Sequence, residues 1–153
     1  MYGIDPGPRI QNVVFFDGTR VEKFSLTLDE IQQLSSNVPI ACEWIEMMGK
    51  TVGKSIFETV HAIGYINAFF PHMRLIPRRD IKMHICQTML AKDGNIRRAL
   101  IDRYGEPGLK KNPGLFYGIT RHHWQALAVA VVARDVVKTI NEETYHWDSK
   151  SLD

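Results

Sequence analysis

The sequence predicts an α/β domain built on a mixed five-stranded sheet with helices on both faces. Three observations carry this reading. A hairpin opens the chain: Ile10–Phe16 is apolar enough for a strand, Asp17-Gly18 makes a tight turn, and Arg20–Leu26 returns. Short apolar runs then alternate with segments of helical period, the mark of βαβ crossovers and parallel pairing. A long helical pattern closes the chain, with Leu127, Val131 and Val132 inward and Arg134, Asp135 and Lys138 outward.

Each element follows from its residues. Before the hairpin, Met1–Pro8 (MYGIDPGP) is a short apolar run ending in an acid, and a Pro-Gly pair turns the chain away after it. Thr27 and Glu30 have capping-box spacing and open an expected helix that ends near Ser36-Asn37. Pro39–Ile45 is a buried strand carrying Glu43, and Gly49–Gly53 is a flexible crossing. Ile56, Val60, Ile63, Ile66 and Phe69 give a long helix from Lys54 that Pro71 stops. Met73–Ile76 is the last strand, and Pro77 starts a helix over Arg79–Leu90. Another helix spans Asn95–Tyr104. Gly105–Gly118, with four glycines and two prolines, is a loop. The final helix covers Thr120–Asn141. An antiparallel start followed by crossovers is the element order of ribonuclease H-like folds.

Composition bounds the function. A single domain over residues 1–153 is expected, with a tail frayed from about residue 145. Apolar residues at 44% and charged residues at 24% exclude a disordered or fibrous chain. There is no apolar stretch of membrane-spanning length and no basic-then-apolar leader, so a cytoplasmic protein without a membrane partner is expected. Cys42 and Cys86 lie in apolar segments and read as reduced core thiols; His84 and Cys86, two apart on a helix, read as core rather than zinc ligands. The net charge of +2 predicts no partner by itself, but cations cluster at Arg74, Arg78, Arg79 and Lys82 and again at Arg97, Arg98, Arg103, Lys110, Lys111 and Arg121. A basic second half behind an acid-bearing first half suits a phosphate-binding metal site, and a solvated helix face accounts for the same charges.

The candidate chemistry starts at Asp5. A carboxylate at the tip of a strand, facing an open turn, is a natural ligand for Mg²⁺, although an acid there also serves to cap the turn. Glu43 is harder to explain structurally, because an unpaired carboxylate in an apolar strand is costly to bury. In a mixed sheet the two strands are expected to be neighbours, and the start of the last helix can close the site from above. A phosphodiester cutter that uses two cations needs ligands converging on positions roughly 3.5–4 Å apart.

At these residues the sequence resembles a family. Ile4-Asp5-Pro6-Gly7, Glu43 within a strand and the segment His122–Ala130 (HHWQALAVA) look like RuvC-type Holliday junction resolvases. Val52–Thr59 (VGKSIFET), Arg79–Cys86 (RDIKMHIC), Ala91–Arg97 (AKDGNIR) and Asn112–Gly118 (NPGLFYG) are similar to the short phage and prophage relatives, and together the segments cover nearly the whole chain. The resemblance implies a homodimeric, Mg²⁺-dependent endonuclease that nicks four-way DNA symmetrically and leaves 5′-phosphate ends. It assigns metal ligation to Asp5 and Glu43.

The last helix of the family supplies two acids three positions apart; this chain has His122 and Gln125 instead. Histidine is a borderline ligand and glutamine a neutral one, so weaker Mg²⁺ binding and relatively better use of Mn²⁺ are expected. His123 is the alternative ligand, and an ordinary helix-start residue is the alternative for His122. Lys50, Lys54, Lys82 and Arg97 match basic positions near the junction arms by analogy, and the Lys54–Phe70 helix matches the element at the family's two-fold axis. Two rivals stand beside a nuclease: a catalytically weakened protein that grips branched DNA as a recombination accessory, and a structural dimer of phage replication or packaging.

Overall fold

In a computed structural model, residues 1–46, 49 and 51–150 are described, with side chains given as far as residue 140. The expected sheet is present. Strands β1 (Tyr2–Asp5), β2 (Gln11–Phe16), β3 (Val21–Leu26), β4 (Ile40–Trp44) and β5 (Arg74–Pro77) form one five-stranded sheet in the order β3-β2-β1-β4-β5. The hairpin side is antiparallel, whereas β1–β4 and β4–β5 are parallel. At the Asp17-Gly18 turn, Asp17 Oδ1 accepts from the backbone of Thr19 (2.9 Å) and Arg20 (2.8 Å), and Gly18 takes φ +104°. A side chain at that dihedral would be strained.

Helix α1 (Lys54–Phe69) covers one face of the sheet. Ile63 and Ile66 pack there with Ile4, Val13, Ile40 and Cys42. Helices α2 (Arg78–Cys86), α3 (Asp93–Tyr104) and α4 (His122–Lys150) cover the other. Their core holds Val14, Phe16, Ala41, Leu100, Phe116 and Trp124 together with the run from Ala126 to Ala133. Alternation of side chains along β1 explains the division: Ile4 faces α1, and Gly3 faces α4.

That glycine sets the height of α4 above the sheet. A Cβ built on Gly3 would collide with the carbonyl oxygen of Ala126 and come within 2.8 Å of the Ala130 Cβ. The small residues of Ala126-Leu127-Ala128-Val129-Ala130 let the helix backbone rest on the strand. The start of α4 is thereby held over the end of β1.

Several elements depart from the sequence expectation. The helix expected after Thr27 shrinks to one 3₁₀ turn, Ile31–Gln33. Its capping box does form: Glu30 Oε2 accepts from the Thr27 backbone at 2.8 Å, and Thr27 Oγ1 from Glu30 at 3.4 Å. Only Ile31 and Leu34 are buried behind it, and Ser35-Ser36-Asn37 competes for backbone hydrogen bonds, so no helix propagates. Helix α2 stops at Cys86 because Gln87 adopts a left-handed conformation (φ 59°), leaving Met89 and Leu90 exposed.

The expected loop after Tyr104 folds a small hairpin, β6 (Gly108–Leu109) with β7 (Asn112–Pro113). The last helix runs past Asn141 to Lys150; residues 151–153 of the expected tail, like most of the 47–50 stretch, lie outside the described residues. On α1, Val60 and Phe69 are exposed rather than inward, beside an exposed Phe57.

His84 and Asp135 also change places with expectation. His84 is not core: its Nε2 lies 2.8 Å from Asp135 Oδ2. Asp135 is half-buried rather than outward, gripped in two-pronged fashion by Arg103 at 2.6 and 2.8 Å. Burial alone would raise its carboxyl, but the bonds from Arg103 and His84 outweigh burial and hold it below the ordinary range. These contacts tie α2, α3 and α4 together. Cys42 is a fully buried free thiol and Cys86 a half-buried one. Burial, followed by repulsion from Glu43 and Asp5, holds the Cys42 thiol far above its usual range, so it stays neutral.

Candidate active site

The site lies where the parallel strands end, the usual place for a functional cleft in an open α/β sheet. Parallel pairing sets Ile4 opposite Cys42, so Asp5 and Glu43 are the next residues along neighbouring strands and share the face that α4 covers. The turn after Asp5 is pinned from below. Gln11, fully buried, donates from Nε2 to the Gly7 carbonyl at 2.9 Å and accepts from the Gly7 backbone at 3.2 Å.

Both carboxylates are largely withdrawn from water, with side chains 16% exposed at Asp5 and 14% at Glu43. Burial, then repulsion from Glu43, pushes Asp5 up to about 6 against the pull of His122 and Arg78. Burial likewise holds Glu43 above the ordinary carboxylate range although Arg78 pulls it down. Two acids raised in this way form a site that gains from an added positive charge.

The first residue of α4 supplies the third member. His122 Nδ1 lies 3.1 Å from Asp5 Oδ2, and the imidazole is otherwise open to solvent, 71% exposed. His123 turns away, its Nε2 donating to the Phe24 carbonyl at 3.0 Å, so of the two histidines it is His122 that faces the acids. Gln125, one turn further along α4, is buried and points into the same cluster.

Arg78 is the residue that sequence reasoning missed. Its Nη1 donates to Glu43 Oε2 at 2.9 Å and to Gln125 Oε1 at 2.7 Å, while Nη2 pairs with Asp93 Oδ1. In the sequence it is only one cation of a basic cluster. Its position directly after Pro77, at the end of the strand beside β4, was the available signal: Trp44 pairs with Pro77 in register.

The donor set fits one divalent cation better than two. The adjacent Asp5 and Glu43 carboxylates, with an imidazole on the first, suit a hard or borderline ion. A second ion would need oxygens that Arg78 already holds, on Glu43 and Gln125. As the side chains stand, no three His, Cys, Asp or Glu residues among those described are grouped to cage a metal.

Beside the acids opens a cavity of about 410 Å³ lined by Asp93, Gly94, Arg97, Arg121, His122, Trp124 and Gln125. Arg97 stacks its guanidinium over the Trp124 ring, 5.2 Å from the centroid.

The fold has structural counterparts. Over 85% of this chain and 91% of the other, the structure is similar to Thermus thermophilus RuvC, with a TM-score of 0.57 at 17% identity. A second match is T. thermophilus RuvC in complex with a Holliday junction substrate, with a TM-score of 0.55 at 16% identity over 84% and 88% of the two chains. The fold is that of RuvC. No protein-family model and no curated protein matches the chain. The five-stranded mixed sheet with helices on both faces is thus the RuvC form of the ribonuclease H-like architecture.

On this RuvC-type frame the four basic residues fall differently. Lys82, on α2, is close enough for its charge to act on Glu43. Arg97 borders the cavity. Lys54, at the start of α1, is exposed and sits 3.6 Å from Glu58. Lys50 lies outside the described residues. Among the described residues no helix is long and apolar enough to cross a membrane.

Proposed function

We propose that this chain is a divalent-cation-dependent endodeoxyribonuclease that resolves four-way or other branched DNA by paired, symmetric nicks. The observation that carries the reading is the placement of Asp5 and Glu43 side by side at the ends of adjacent parallel strands, with His122 on Asp5, in a RuvC-type fold. Asp5, Glu43 and His122 are the catalytic set, and the Gln125 amide oxygen, taken by Arg78, holds that arginine beside them. A bound Mg²⁺ or Mn²⁺ would supply positive charge to the phosphate and acidify a water.

The chain's own residues do the rest. Asp5 and Glu43 present oxygens to that ion, and His122 orients the Asp5 carboxylate through Nδ1. In the hydrolysis the water oxygen bonds to phosphorus while the bond from phosphorus to the 3′ oxygen breaks. The 3′ oxygen leaves with the electron pair and gains a proton, the attacking water loses one to solvent, and the ends are 5′-phosphate and 3′-hydroxyl. With a histidine and a glutamine where acids would bind Mg²⁺ more strongly, Mn²⁺ is the better activator.

Lys82 and Arg97 meet backbone phosphates beside the site, and Lys50 and Lys54 meet those further along the arms. Symmetric nicking needs two sites related by a two-fold axis, so the acting species is a homodimer. Phe57, Val60 and Phe69, exposed apolar side chains of α1, support that helix as its interface. The setting is the bacterial cytoplasm, with a phage or prophage as the source.

The grip of Arg78 on Glu43 and Gln125 favours a second reading, a catalytically weakened protein that binds branched DNA as a recombination accessory. One experiment separates the two. Labelled four-way junction, flap and linear duplex are incubated with the protein in Mg²⁺ and in Mn²⁺. Paired nicks across the junction, faster in Mn²⁺, support the nuclease. Junction binding with no cut in either metal leaves only the accessory.

A further inference from the structure

We propose that Arg78 is a resident second cation of this site, so that each chain takes one divalent ion and uses the guanidinium where a second ion would otherwise contact the scissile phosphate. The inference rests on the nuclease reading and deepens it. Arg78 is placed by three acceptors on three separate elements, Glu43 on β4, Gln125 on α4 and Asp93 on α3, and its side chain is 24% exposed. A flexible surface arginine has no such set of partners. The backbone also commits it, since it is the first residue of α2 and follows Pro77 directly.

The partners it holds are the ones a second ion would require. Nη1 spans Glu43 Oε2 and Gln125 Oε1, one from the strand and one from the last helix. Gln125 has a particular role in this arrangement: an amide oxygen orients the guanidinium without cancelling its charge, as a carboxylate would. A guanidinium carries five N–H donors, and three are engaged by these contacts.

The remaining donors suit non-bridging phosphate oxygens, which arginine recognises in the same planar geometry. Asp93 and Gln125, which Arg78 holds, both border the 410 Å³ cavity, with Arg97 and Arg121 as cations on its lining. A cavity so walled fits a phosphodiester.

The test counts ions. Mn²⁺ bound per chain is measured by electron paramagnetic resonance on wild type, Arg78→Ala and Arg78→Lys, each taken as the excess over Asp5→Asn so that surface ions cancel. Junction cleavage is followed on the same samples. The expected result is one Mn²⁺ per wild-type chain and a second on Arg78→Ala, whose cleavage at saturating junction falls about 100-fold where Mn²⁺ is too dilute to fill the vacated position and recovers as the second ion binds. Arg78→Lys keeps the charge but not the fork; it stays at one ion and cleaves better than Arg78→Ala. Two site-specific ions on wild type overturn the inference without any variant, as does an Arg78→Ala protein that binds no second ion yet cuts at the wild-type rate. A wild type that cuts no branched DNA in either metal sinks the nuclease reading itself, whereas wild-type cleavage with two ions sinks only the role of Arg78.

Discussion

Replacing Asp5 with asparagine should stabilise the metal-free protein at neutral pH. Folding moves the Asp5 carboxyl from 3.8 to about 6, chiefly through burial and then through repulsion from Glu43. At about 1.4 kcal/mol per tenfold change, an ionised Asp5 costs the folded state about 3 kcal/mol. The sign follows from proton binding. Between the two values the folded protein retains a proton that the unfolded chain has released, so wild-type stability falls as pH rises through that window and stays lowered above it. Asp5→Asn escapes this cost.

Asparagine keeps an acceptor for His122, and the charge assistance of that bond is already counted in the net shift. The gain at about pH 8 is therefore about 3 kcal/mol, and it vanishes by about pH 3, where Asp5 is protonated in both states. Urea unfolding of both proteins in a chelator across this pH range is the assay, read as the midpoint at constant slope. A variant no more stable than wild type at pH 8, or a gain that does not change with pH, would refute the burial argument.

Other outcomes follow from the same geometry. Gly3→Ala drives a methyl into the α4 backbone at Ala126 and against Ala130, costing about 3 kcal/mol; thermal unfolding should fall by about 6–12 °C, and cleavage should be lost with it because His122 is lifted off Asp5. Lys82→Ala and Arg97→Ala should each weaken junction binding and reduce the slope of affinity against salt by about one ion; an unchanged slope removes that residue from the interface. Asp135→Asn should cost about 1–2 kcal/mol near neutral pH, discounted because Arg103 is half open to solvent. Because folding lowers the Asp135 carboxyl, its contribution is complete above about pH 4 and is lost as pH falls through the lowered value, so the variant and wild type should converge in acid.

What the sequence revealed, and what it hid, divides along physical lines. Strands announced by apolar runs and by the Asp17-Gly18 turn lie within a residue or two of expectation, because burial on a sheet selects a local pattern. The pairing of Asp5 with Glu43 was legible for the same reason: strand order and register decide it. His122 is favoured over His123 by the family resemblance rather than by local pattern, since adjacent residues at a helix start point to different neighbours; here His123 turns to the Phe24 carbonyl and His122 to Asp5.

Arg78 was hidden by its type. Arginines on a helix are most often solvated, and nothing in its local sequence tells that acceptors from three distant segments converge on it. The stunted helix after Thr27 teaches the converse. A capping box starts a helix, but without enough apolar side chains to bury, the start is all that forms.

In the proposed nuclease Asp5 is the centre of DNA cleavage, and a single comparison tests that most directly. Cleavage of a labelled four-way junction in Mn²⁺ is measured for wild type and Asp5→Asn, alongside junction affinity in the absence of metal. The variant should bind the junction with unchanged affinity while its nicking rate falls by at least about 100-fold. An Asp5→Asn protein that still nicks both strands at the wild-type rate would contradict that role for Asp5.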